Sequence, residues 1–212
     1  MIGLCGGHRT GKTTLARAYA EAHQAIFVQT SVSAIIRAIG FDPSCTDYDF
    51  ATRLTIQEGV LAGLEAVYDC VPAGLPAVAD RTPIDLLGYT MAEAIGDRVP
   101  QDQQERFARY VQDCFNLCNS RFSTVILLQP GIPLVAGCDG KGAANPAFIE
   151  HLNSLMLGLT VDPRMKTSHF YIPRSYLSIE DRLSAMEGAV RRTDLLAQEG
   201  YMSYLAEGGQ LQ

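Results

Sequence analysis

Residues 6–13, Gly6-Gly7-His8-Arg9-Thr10-Gly11-Lys12-Thr13, fit the spacing G-x-x-x-x-G-K-S/T. That spacing builds a phosphate cradle. Glycines let consecutive backbone N–H groups turn inward around an anion with no Cβ in the way. The lysine reaches the β- and γ-phosphates, and the Thr13 hydroxyl suits a divalent cation. The flanks agree with the motif. Residues 1–5 read as a short apolar strand and residues 13–23 as a helix, whose positive N-terminus points at the same anion. Gly6, Gly7, His8, Arg9, Thr10, Gly11, Lys12, Thr13 and Thr14 are therefore the candidate nucleotide-binding residues, although His8 has no evident role within them.

A phosphate grip needs a carboxylate nearby, either to hold the cation or to accept a proton from an attacking hydroxyl. Asp80 ends the short strand Ala77-Val78-Ala79 and is the candidate for both duties, with helix capping as the plain alternative. Arg81 follows it and could clamp substrate phosphate or steady the carboxylate. Asp85 suits the first turn of the next helix, which explains it as well as substrate binding does. Lys141 lies in a Gly- and Pro-rich stretch, residues 130–146, where a mobile cation could close over a transferring phosphoryl group. Arg53 and Gln57 stand one turn apart on a predicted helix and could read a phosphate and a base edge, or simply form a polar face. With Arg37 and Asp85 they make up the candidate acceptor-binding set.

These residues need a scaffold. Strands are expected at 25–29, 77–79, 124–129 and 168–172, in addition to 1–5. Helices are expected at 32–39, 48–70, 83–95, 101–119, 146–159 and 178–205. Thr82-Pro83-x-Asp85 has the N-cap, first-turn proline and first-turn acid of a helix start. Leu54, Leu61, Leu64 and Val67 predict the buried stripe of the 48–70 helix. Alternating strands and helices imply an α/β fold, a parallel sheet with helices on both faces. The candidate residues then gather at the carboxyl ends of the strands. Residues 1–212 read as one domain with a lid at 130–146.

Composition removes some alternatives. The net charge of −6 argues against a large nonspecific nucleic-acid surface, though not against a local groove. No apolar run is long enough to span a bilayer, and no leader precedes the first strand. Six scattered cysteines then read as reduced thiols in a cytoplasmic protein. Cys114 and Cys118, four apart, lack a second pair for a zinc site, and His23, His151 and His169 lack partners at ligand spacing. There is no N-K-x-D motif to read a guanine base, which weighs against a GTPase switch, while an ATPase without a small-molecule acceptor stays open.

With the P-loop, Asp80-Arg81-Thr82-Pro83-x-Asp85 and Asp139-Gly140-Lys141 in place, the chain resembles small P-loop kinases of nucleosides and nucleotides. It is similar in layout to ribosylnicotinamide kinase domains and related phage P-loop kinases. The resemblance implies a five-stranded three-layer sandwich with the P-loop strand central, and a lid over 130–146. It implies ATP and Mg²⁺, the latter on Thr13 and Asp80, and an acceptor that is a nucleoside, a nucleotide or a modified base in DNA. The last corresponds to phage kinases that act on 5-hydroxymethyluracil. Where ribosylnicotinamide kinases tend to carry an acid and an arginine after the second strand, this chain has Gln29-Thr30-Ser31.

Overall fold

Ile2–Cys5 are all buried and form β1, the middle strand of the sheet. The computed structural model describes residues 1–133 and 145–206. The strands are β1 (Ile2–Cys5), β2 (Ile26–Val28), β3 (Ala77–Ala79), β4 (Thr124–Leu128) and β5 (Ser168–Ile172). They lie in the order β2-β3-β1-β4-β5, all parallel. The helices are α1 (Lys12–His23), α2 (Val32–Ala38), α3 (Phe50–Asp69), α4 (Pro83–Glu93), α5 (Gln104–Arg121), α6 (Pro146–Thr160) and α7 (Ile179–Ala206).

Strand alternation sorts the side chains into two cores. Ile2, Leu4, Val78, Ile126, Leu128 and Ile172 face α1 and α7, meeting Leu15, Tyr19 and Met186. Cys5, Ala79, Val125 and Leu127 face the other way, onto a larger core with α3, α4, α5 and α6. Strands buried on both faces read as continuous apolar runs, as Thr124–Leu128 does throughout. Gly3 is where the layers come closest: a Cβ there would stand 2.4 Å from Thr82 and 2.7 Å from Phe122. The absent side chain lets the start of α4 sit directly over β1.

Two expectations shift. The helix predicted from Gln101 begins as a 3-10 turn, Gln101–Gln103, and becomes α-helical at Gln104. The buried stripe of α3 ends on Tyr68 rather than Val67. Tyr68 is drawn in because its hydroxyl donates to the Arg81 carbonyl at 3.0 Å, satisfying a polar group at the end of β3. Of the stretch expected to be a lid, residues 134–144, and Lys141 with them, lie outside the described residues. Among the described residues no helix is long and apolar enough to cross a membrane.

Candidate active site

The loop from β1 to α1 turns on backbone that most residues avoid. Gly6 has φ 146°, Arg9 φ 59° and Gly11 φ 85°. A Cβ on Gly6 would press to 2.7 Å from the Leu128 carbonyl, so glycine is required there by space as well as by angle. Thr10 ties the loop across itself, its hydroxyl donating to the Gly7 carbonyl at 3.0 Å. Lys12 folds back along the loop, donating to the carbonyls of Gly6 at 2.6 Å and Gly7 at 2.9 Å. An ammonium carries three protons, so one remains for a ligand.

Asp80 and Asp85 divide the work beneath and beside this loop. The Thr13 hydroxyl donates to Asp80 Oδ2 at 2.8 Å. Thr30 donates to Asp80 Oδ1 twice, from its backbone N–H at 3.1 Å and its hydroxyl at 3.0 Å. A hydroxyl and a carboxylate set together at the mouth of the loop are hard oxygen donors, and they fit Mg²⁺ with its waters. Asp85 is instead only 1% exposed. It accepts from the Gly6 N–H at 3.2 Å and from the Thr82 N–H and hydroxyl at 2.9 and 3.0 Å, and it stands 3.6 Å from Lys12. Thr82 and Asp85 form the capping box of α4, so a single carboxylate starts a helix and anchors the P-loop. Burial pushes the Lys12 ammonium down and the Asp85 carboxyl up; their mutual attraction opposes both shifts.

His8 packs its ring against Tyr89 (centroids 4.8 Å apart) and Phe148 (6.4 Å). Burial, then the nearby Lys12, Arg81 and Arg9, lowers its pKa to about 4. The ring is thus neutral at pH 7. A cavity of about 180 Å³ opens beside it, between residues 8–10, Pro130–Ile132 and the start of α6. The unfolded chain takes up the His8 proton near pH 6.5, the folded one only near 4. Between those values the unfolded state binds more protons, so stability falls as pH drops through this window. His8→Phe keeps the aromatic packing and removes the titration. Its unfolding midpoint should therefore drop less than that of the wild type between pH 7 and 4.5; parallel profiles would refute the burial of a neutral imidazole.

The remaining candidates are more dispersed. Arg53 on α3 is taken up within the protein, pairing with Glu93 at 3.0 Å and donating to the Tyr48 carbonyl at 2.8 Å and to the Thr46 carbonyl. Gln57, one turn on, holds a buried Oε1 with no partner among the described residues. Arg37 on α2 is exposed. Lys141 lies outside the described residues. Ser31 caps α2, accepting from the Ala34 N–H at 3.4 Å, which leaves Thr30 free of that duty. Thr30 meets Asp80 because β2 and β3 are neighbours, a fact the linear order does not contain.

The sequence matches no protein-family model and no curated protein. The fold does find relatives among solved structures. It is similar to deoxyadenosine kinase from M. mycoides with bound dCTP, with a TM-score of 0.62 and 13% identity over 90% of this chain and 98% of that one. It is similar to thymidylate kinase from Candida albicans, with a TM-score of 0.64 and 13% identity over 91% of each chain. It is also similar to NadR protein in complex with NR, with a TM-score of 0.56 and 13% identity over 91% of this chain and 50% of that one. At these identities the likeness speaks for the fold, which is that of the P-loop kinases.

Proposed function

We propose that this protein is an ATP-dependent kinase that transfers the γ-phosphoryl group to a hydroxyl or phosphate of a nucleoside or nucleotide. The observation that carries this reading is the Thr13–Asp80 pair at 2.8 Å, set at the mouth of a P-loop whose lysine keeps one proton free. The fold likeness to nucleoside and nucleotide kinases supports it.

In this reading the P-loop amides and Lys12 hold the β- and γ-phosphates of ATP. Thr13 and Asp80 hold Mg²⁺, which when bound draws negative charge off those phosphates. The acceptor oxygen forms a bond to the γ-phosphorus as the bond to the β,γ-bridging oxygen breaks, its electrons leaving with ADP. A hydroxyl acceptor passes its proton to the Asp80 carboxylate where Asp80 is not itself holding the Mg²⁺, because with three donors in place it has one acceptor position left, enough for one of the two duties. A phosphate acceptor arrives ionised and needs no base. In this reading Arg81, next to Asp80 in sequence, clamps acceptor phosphate, and Gln57, whose amide oxygen has no partner among the described residues, accepts from a base edge. Arg53 and Asp85 serve the acceptor only indirectly, through the elements they hold.

The test is to incubate the protein with γ-labelled ATP and Mg²⁺ alongside free nucleosides, nucleoside monophosphates, and DNA with and without 5-hydroxymethyluracil. Label on a free nucleoside or nucleotide is the expected result. Label confined to 5-hydroxymethyluracil DNA would move the acceptor into nucleic acid. Label released only as inorganic phosphate would replace the kinase with an ATPase.

A further inference from the structure

Arg182 is the fourth residue of α7, and its side chain runs back across the fold to the phosphate loop. It is 2% exposed. Nη1 donates to the Thr10 carbonyl at 2.6 Å and Nε to the Tyr176 carbonyl at 2.6 Å. Nη2 is buried and has no partner among the described residues. No carboxylate pairs with Arg182 among the described residues, whereas Arg53, Arg106, Arg164 and Arg174 each have one and Arg121 has two. Burial pushes its pKa down, but a guanidinium stays charged at any working pH. A cation buried against neutral carbonyls, with its whole Nη2 amino group unpaired among the described residues, is costly to keep without a counter-charge.

Its position suggests where the counter-charge comes from. The Thr10–Gly11 peptide is planar, so the Gly11 N–H points opposite to the carbonyl that Arg182 holds. Holding that carbonyl fixes the peptide plane and polarises its N–H on the side away from Arg182. Gly11 is at φ 85° and ψ 16°, the N-cap of α1, and a Cβ there would touch Arg182 Nη1 and Ile132, each at 3.0 Å. Arg182 therefore lies against the outer wall of the cradle. Its second bond, to Tyr176, fastens the cradle to the 173–178 segment that follows β5. The same segment meets residue 131: a Cβ on Gly131 would strike the Arg174 carbonyl at 2.1 Å.

We propose that Arg182 is a positioning residue of the donor site: it aims the Gly11 N–H at the bound polyphosphate and takes that polyphosphate as its counter-charge. This rests on the donor-site reading above and adds a residue that the P-loop motif does not contain. The ligand class is any nucleoside di- or triphosphate, recognised through its phosphates.

Calorimetric titration of ATP and of inorganic tripolyphosphate into wild type, Arg182→Lys and Arg182→Met tests it, with unfolding midpoints taken with and without tripolyphosphate. Wild type should bind both. Arg182→Met should bind each about 10- to 100-fold more weakly, the loss expected for bonds to a charged group, and Arg182→Lys should recover part of that loss. The rise in midpoint on adding tripolyphosphate should shrink in the same order. A lower midpoint without ligand but an unchanged ligand-induced rise would make Arg182 a structural brace only and overturn the proposal. Should the Met variant fail to fold, the Lys variant decides by the same criterion. If wild type itself binds no polyphosphate, the donor-site reading falls and this inference falls with it. Binding to wild type with equal affinity in the variants sinks the inference alone.

Discussion

Lys12→Ala is expected to lower kcat for phosphoryl transfer by about 10³-fold or more, since it removes the cation aimed at the transferring group. The ammonium already spends two protons on the Gly6 and Gly7 carbonyls. Under the proposed function, what meets the γ-phosphate is thus a charge held in place by the loop itself, costing little reorganisation at the moment of reaction. Stability is a second readout. Removing Lys12 takes from Asp85 the cation 3.6 Å away, but Arg81 stays nearby and the carboxylate keeps the Gly6 N–H and both Thr82 donors. The loss should be about 1–3 kcal/mol, a drop of several degrees in midpoint, not unfolding. A kcat within tenfold of wild type, in a folded protein, would remove the P-loop from the chemistry.

Asp80→Asn keeps the shape of the side chain and removes its charge. Turnover is expected to fall by about 10²- to 10⁴-fold, the range for losing a base or a cation-holding carboxylate. Affinity for ATP measured without Mg²⁺ should change less than tenfold, because the P-loop amides are untouched. The amide cannot accept at both ends, so either Thr13 or Thr30 loses a partner, and a small drop in midpoint should accompany the loss of rate. Equal turnover in the variant would reduce Asp80 to a tether between β2, β3 and α1.

What the sequence disclosed depended on whether a residue's job is local. The P-loop and the Thr82-Pro83-Asp85 helix start are short runs whose geometry follows from their own composition, and both stand where expected. The strands at 77–79 and 168–172 match residue for residue, because gaps of Pro, Gly and polar residues bound them. Asp85 shows the limit. Its capping role is local and legible, while its bond to Gly6 crosses 79 positions and is not. Arg182 and Thr10 lie 172 positions apart, and nothing in residues 178–186 marks one arginine among several. Arg53 was the reverse case: the helical spacing to Gln57 is real, but tertiary neighbours on another helix and loop had first claim on the guanidinium.

The sheet order also constrains how the protein comes into being. β1 lies in the middle, with Ile2 pairing across to Val78 on one side and Thr124 on the other. β1 is made before either of its sheet neighbours and is therefore enclosed late. Translation at roughly 5–20 residues per second leaves it waiting several seconds for β4. Until then Ile2 and Leu4 have no strand on the β4 side, and the phosphate cradle, although Asp80 has been made, has no Arg182 against it. A truncated or stalled chain ending before Thr124 would carry the whole P-loop motif and Asp80, yet lack both the Leu128 carbonyl that Gly6 packs against and the Arg182 that holds Thr10.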